Sequence, residues 1–204
     1  MSRIICISRE YGSGGHETAK RTAGLLDIPC LDKQLMECAI QTSGLPKEIL
    51  EKAEEKARNP FLYTSVYAGD NLELYGMAPS EIVYELERRY ILEQAEKGDC
   101  VIVGRCAEEI LKDTGHQVVS IFITAPFEFR AGRKQKEYPG MESKKLEAKI
   151  RKADRQRKSY YEYHTGKDWG IPYNYNACLN SASIGIERMA DLIAESFGKM
   201  KEGL

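Results

Sequence analysis

Apolar residues in this chain arrive in two rhythms. The runs Ile4 to Ser8, Cys100 to Val103 and Val118 to Thr124 are nearly unbroken, as expected of strands buried on both faces of a parallel sheet. Between them lie segments with apolar residues at helical spacing. Glu17 to Leu26 carries Ala19, Ala23 and Leu26, Ser80 to Lys97 carries Ile82, Leu86, Tyr90 and Ile91, and Glu142 to Lys158 carries Leu146, Ile150 and Ala153. Cys30-Leu31-Asp32 reads as a further short strand leading to a helix with Leu35, Met36, Ala39 and Ile40, which Gly44-Leu45-Pro46 breaks. Ser80 reads as the N-cap of the long helix that stops near Gly98, and Ala125-Pro126 leads into a helix bearing Arg130 and Arg133. Residues 47–58 form a charged helical segment, and residues 59–79 mix Pro60, Gly69, Gly76 and Pro79 with Phe61, Tyr63, Tyr67 and Tyr75, an irregular aromatic insert. Strands alternating with helices need crossover connections. The expectation is an α/β fold, a three-layer parallel sheet with helices on both faces, built as one domain over residues 1–204.

Composition sharpens this picture mainly by exclusion. With 204 residues, 42% hydrophobic and 30% charged, the chain can bury the core of one domain carrying an insert. A net charge of -1 and a pI near 6.4 give no global case for nucleic acid or an anionic membrane. No apolar stretch approaches the roughly 18 residues needed to span a bilayer, and Arg9-Glu10 interrupts any signal-peptide core, so a cytoplasmic protein is expected. The six cysteines show no C-x-x-C pair, and neither a structural metal nor a disulfide is predicted.

The first strand empties into Ser8-Arg9-Glu10-Tyr11-Gly12-Ser13-Gly14-Gly15. Glycines there let successive backbone N–H groups turn toward one centre, and the helix that follows adds the positive end of its dipole, which together suit phosphate. In the usual loop of this kind a lysine and a hydroxyl follow the last glycines. Here Gly15 stands in the lysine's place. Arg9, His16 or an arginine from elsewhere can supply the missing charge, and Ser13 and Thr18 are the nearby hydroxyls; a turn needing glycine only for its backbone angles is the plain alternative. Ligands of such sheets bind at the carboxyl ends of the strands, where this loop, Gly104-Arg105 and Thr124-Ala125-Pro126 all fall.

The helix beginning near Glu142 has a cationic face of Lys144, Lys145, Lys149, Arg151, Lys152, Arg155, Arg157 and Lys158. Most of these read as solvated charges. Within Asp154-Arg155-Gln156-Arg157, the two arginines can contact separate phosphates while the aspartate orients one of them, as in a lid that closes over transferred phosphate and excludes water. The aromatic cluster Ser159 to Gly170 follows as the base of that lid; its interleaved cations can also suit single-stranded nucleic acid, a reading that the near-neutral chain disfavours.

Taken in order, IICISREYGSGG, PCLDKQLM, VIVGRCAEEIL, IFITAPFEFRAGR, KADRQRKSYYEYHTGKDWG and NACLNSASIGIERMADLI resemble the cytidylate kinase-like group of P-loop kinases over nearly the whole chain. The resemblance implies a nucleoside-kinase-like fold with a helical lid at residues 137–170 and an acceptor-side helical insert at residues 41–98. It implies donor phosphates on Gly12, Ser13, Gly14, Gly15 and His16, with Glu17 and Thr18 in the helix start and Arg9 ahead of the loop. It also implies Asp32 near the acceptor, Arg105 on an acceptor monophosphate, Arg130 and Arg133 on the basic helix, Arg155 and Arg157 in the lid, and Asn180 and Ser181 near the donor base. Two positions depart from the group's pattern: Gly15 replaces the lysine, and Cys106 replaces an aspartate. The insert at 59–79 also replaces the region that recognises cytosine.

The reading that follows is an ATP- and Mg2+-dependent kinase of a small acceptor, nominally a nucleoside monophosphate. Arg105, Arg155, Arg157 and Arg133 serve the transfer, Arg9 to Thr18 bind the cofactor, and Asp32, Arg105 and Arg130 bind the acceptor. No general base is required for an acceptor already ionised. A regulatory nucleotide-binding module without turnover and a kinase for another metabolite are the alternatives. The helix Ser80 to Lys97 has apolar surface enough for a homodimer seam, although packing on its own sheet is the favoured use.

Overall fold

The computed structural model describes residues 1–32 and 77–199. The helices expected at residues 33–58 and the aromatic insert up to residue 76 lie outside the described residues. Strand β1 (Arg3–Arg9) occupies the centre of a five-stranded sheet with β2 (Cys30–Leu31), β3 (Cys100–Val103), β4 (Gln117–Thr124) and β5 (Ala177–Asn180) in the order β2-β3-β1-β4-β5. All four pairings are parallel, with Ile5 opposite Val101 on one side and Val119 on the other. The chain builds first to one side of β1 and then to the other. The order therefore reverses at β1, and the crevice beyond its carboxyl end is the natural ligand site of such a sheet.

The two faces of each strand meet different helices. Ile5, Ile7, Val101, Val103, Ile121 and Ile123 pack against α1 (Gly15–Leu26) through Ala19 and Ala23. The same face meets α7 (Ile186–Lys199) through Met189, Ile193 and Phe197. Ile4, Cys6, Cys100 and Ile102 pack instead against α2 (Pro79–Lys97) and α3 (Ala107–Ile110). The apolar face of α2, including the fully buried Ile82, Ile91 and Ala95, is thus covered by its own chain. Its start differs from the expectation: the helix opens at Pro79, and the Glu81 carboxylate accepts from the Ala78 N–H, 3.0 Å, in place of a serine cap.

Helix α4 (Phe127–Glu137) leads to α5 (Ser143–Thr165), a single helix of 23 residues. The aromatic cluster predicted to follow the basic helix is its continuation, because no breaker intervenes before Gly166, which takes the left-handed conformation at the end, φ 67°. A short α6 (Ser181–Ile184) precedes α7. Among the described residues no helix is long and apolar enough to cross a membrane.

Candidate functional site

Two turns leave the central strands at the same sheet edge. The first runs from Glu10 to Gly14, with Gly12 at φ 85° and Gly14 at φ 87°, values that favour glycine. Its outer shape is held by side chains from elsewhere. Glu10 accepts from Thr124 Oγ1, 2.5 Å, and from the Ala125 N–H, 3.0 Å. Asp154 on α5 accepts from the Tyr11 N–H, 2.7 Å, and Arg157 Nη1 donates to the Arg9 carbonyl, 3.0 Å.

Arg130 completes that frame. Its guanidinium donates to the Ala125 and Tyr11 carbonyls at 3.0 and 3.2 Å and to Asp154 at 2.6 Å, and stands 3.4 Å from Glu10. With its side chain only 8% exposed and four partners satisfied, Arg130 lines neither pocket of the cleft. In these contacts Arg130, expected at the acceptor, ties the loop to α4 and α5.

The second turn follows β3. Gly104, Arg105 and Cys106 all adopt positive φ, 78°, 62° and 54°. Two consecutive non-glycine residues in the left-handed region each cost about 1–2 kcal/mol, strain of a kind that clusters where function fixes a side chain. Here the strain directs Arg105 to Glu87 of α2, 3.2 Å away, whose side chain is fully buried and also accepts from Tyr160 Oη, 3.1 Å. The Cys106 thiol is buried with its pKa pushed up by that burial, so it behaves as an apolar group.

These turns enclose two adjoining pockets. The loop pocket, about 390 Å³, is lined by Gly12, Gly14, Gly15, His16 and Glu17 with Asp32, Arg133, Lys134 and Glu137. The second, about 370 Å³, is lined by Gly104, Arg105 and Cys106 with Ala153, Gln156, Tyr160, Tyr161 and Trp169. Arg9, Tyr11 and Arg157 line both, so they form the wall between them. Burial pushes the Arg157 pKa down, and Asp154, Tyr11 and Asp32 oppose that shift.

Several expected positions change. Ser13 and Thr18 are fully buried and their hydroxyls donate to the carbonyls of Glu10, 2.9 Å, and Gly14, 3.1 Å, so neither side chain faces the loop pocket. Asp32 joins the loop pocket, 2.6 Å from His16 and 3.8 Å from Arg9. Arg133 also faces it, paired with Glu17 at 2.7 Å. Arg155 is exposed and lines neither pocket, while Arg157 does. Residues two apart on a helix point to opposite sides, whereas Ala153, Gln156, Arg157, Tyr160 and Tyr161 follow one helical stripe. Asn180 caps α6 by accepting from the Ala182 N–H, 3.0 Å, and Ser181 is buried.

Glu87, Tyr11, Gln156 and Lys134 were not singled out from the sequence. The helical stripe through Arg157 carried the signal for Gln156; nothing local marks Glu87, which its distance from Arg105 along the chain conceals. The α5 helix is tied to α2 as well, since His164 stacks on Tyr84 with centroids 3.8 Å apart, and burial pushes its pKa down to about 4.

Residues 4–183 match the model of the cytidylate kinase-like family. The structure is similar to that of an uncharacterized protein from Eubacterium ventriosum, 27% identical, with a TM-score of 0.70 over 97% of this chain and 99% of that one. At 17% identity the fold is also similar to shikimate kinase from Bacteroides thetaiotaomicron, TM-score 0.53 over 99% of both chains. At 14% identity it is similar to shikimate kinase from Acinetobacter baumannii, in complex with shikimate, TM-score 0.54 over 100% of this chain and 96% of that one. No curated protein sequence matches the chain.

Proposed function

We propose that this chain, which belongs to the cytidylate kinase-like family, transfers the terminal phosphoryl group of ATP to a small acceptor, nominally a nucleoside monophosphate. The observation that carries this reading is the pair of pockets sharing a wall at the reversal point of the sheet. One is made of loop backbone and a helix start, suited to donor phosphates. The other is made of guanidinium and aromatic side chains, suited to a small anionic molecule with a flat or apolar body. In this reading the chain is one domain, with residues 41–98 on the acceptor side and residues 137–170 forming the lid, in the cytoplasm where ATP is supplied.

Each set of residues has its task. The backbone of Gly12, Gly14, Gly15 and His16 receives the donor phosphates, and Arg133 and Lys134 add positive charge along the loop pocket. Arg105, held by Glu87, positions the acceptor's anionic group. Arg157 stabilises charge on the group in transit, and α5 screens the cleft from water. The acceptor oxygen bonds to the terminal phosphorus as the bond to the bridging oxygen breaks, its electron pair leaving with the diphosphate.

Magnesium, when bound, neutralises charge on the donor phosphates. The residues present fit such an ion in one way: Asp32 and Glu17 line the loop pocket as carboxylates able to hold its water shell, while the Ser13 and Thr18 hydroxyls are committed to carbonyls. No group of three or more His, Cys, Asp or Glu side chains able to hold a metal lies together among the described residues.

Incubation of labelled Mg-ATP with a panel of nucleoside monophosphates and hydroxylated metabolites tests the reading, with calorimetric ATP binding on the same preparation. Transfer to one acceptor is expected, and Arg105→Ala is expected to lower acceptor-dependent turnover at least about a hundredfold while ATP binding stays within about twofold. Full activity in that variant would remove Arg105 from the acceptor site. The loop without lysine favours a second reading, a regulatory module, which binding without transfer across the panel would support.

A further inference from the structure

The lysine missing from the loop has a structural counterpart elsewhere in the cleft. Alternation along β1 puts Arg9 on the same face as Ile5 and Ile7, the face that meets α1. Its side chain therefore runs across the start of that helix. A Cβ added at Gly15 would stand 2.5 Å from Arg9 Cβ and 2.9 Å from Arg9 Cγ. Those atoms lie next to the backbone and cannot swing aside, so position 15 takes only glycine while residue 9 carries a side chain, and the Arg9 stem fills the space a larger residue there would need. At its far end the guanidinium lies over Gly104, where an added Cβ would collide with Arg9 Nη1. Two glycines on separate turns thus form the channel that this one side chain fills.

The channel leads to the wall between the pockets, since Arg9 lines both. His16, Arg133 and Lys134 line only the loop pocket, and Arg157, which lines both, reaches the wall from α5 and donates to the Arg9 carbonyl. We infer that Arg9 performs the task a loop lysine performs elsewhere: it holds the donor's terminal phosphate at the passage between the pockets, from the strand before the loop rather than the helix after it. The inference rests on the kinase reading above. A guanidinium suits the place because its planar fork can bind two phosphate oxygens at once.

The test compares binding of Mg-ATP, Mg-ADP and inorganic tripolyphosphate by calorimetry in the wild type, Arg9→Gln, Arg9→Ala, Gly15→Lys and the double variant Arg9→Gly with Gly15→Lys, which removes both colliding carbons, with thermal unfolding on each. The wild type is expected to prefer Mg-ATP to Mg-ADP. Arg9→Ala is expected to weaken Mg-ATP and tripolyphosphate about tenfold or more, the loss of one charge-assisted contact, with Mg-ADP within about twofold. Gly15→Lys alone is expected to lose stability through the collision with Arg9, and the double variant to recover both stability and the preference for Mg-ATP. If Arg9→Ala does not fold, Arg9→Gln, which keeps much of the stem without the charge, carries the same comparison and is expected to lose most of that preference.

Equal weakening of Mg-ATP and Mg-ADP would overturn the inference, because Arg9 would then only shape the loop. Unchanged binding would overturn it while leaving the kinase reading in place. A wild type that binds neither Mg-ATP nor tripolyphosphate would overturn both.

Discussion

The turn after β1 and the turn after β3 stand side by side at one sheet edge, yet they are built by opposite means. The first gives its left-handed positions to Gly12 and Gly14 and borrows its supports, Asp154, Arg157 and Arg130, from helices far along the chain. The second gives left-handed positions to Arg105 and Cys106 and accepts the strain. A turn that presents backbone N–H groups gains by shedding side chains. A turn that presents a guanidinium must keep one, whatever backbone angle that demands.

The strongest way to break this contrast is to remove the borrowed support. Arg130→Ala leaves Asp154 and Glu10 without their mostly buried cation, and a loss of about 3–5 kcal/mol is expected in urea unfolding. If the loss is instead under about 1 kcal/mol, the loop stands without its strut. A smaller effect separates the turns by sign. Gly14→Ala places a Cβ 2.6 Å from Ile186 Cδ1 at φ 87°, and should cost about 2 kcal/mol. Cys106→Gly should be close to neutral, because about 1 kcal/mol of released strain offsets about 1 kcal/mol of lost thiol burial. Equal losses at both positions would erase the distinction.

A pH dependence further marks the helix that the second turn leads into. Glu108, two residues beyond Cys106, has its pKa raised by burial to about 7, with Glu109 adding to the shift and Lys167 opposing it. Its proton is held more tightly folded than unfolded, so the contribution is fully present below the unfolded value of 4.5 and is lost as pH rises through about 7. Glu108→Gln should flatten the wild-type decline in stability between those limits by up to about 3 kcal/mol. An identical slope in both proteins would assign the decline to other groups.

The three central strands were readable because both their faces are covered: β3 has the bounds its apolar run predicts, and β1 and β4 extend only to the polar residues at their ends, whereas β5, with Cys178 exposed, offers no such run. Helix ends were less so. Aromatic residues 159–165 look like a separate cluster by composition, and only the absence of a breaker before Gly166 reveals one continuous helix. In the site, Arg157 and the glycine loop announced themselves by position after a strand or on a helix stripe. Arg130 did not, since its partners Glu10 and Tyr11 lie about 120 positions away and no local pattern distinguishes a strut from a ligand. Arg155 shows the reverse case: helical geometry alone separates it from Arg157, without any structure.

The bonds from α5 to Arg9 and Tyr11 also set an order of events during synthesis. A ribosome delivers the N-terminus first, but the Tyr11 N–H waits for Asp154, the Arg9 carbonyl waits for Arg157, and β1 itself waits for strands beginning at Cys100 and Gln117. This strand and its loop therefore emerge before the residues that fix them, and a nascent chain that ends before Arg157 carries the loop's residues without the loop.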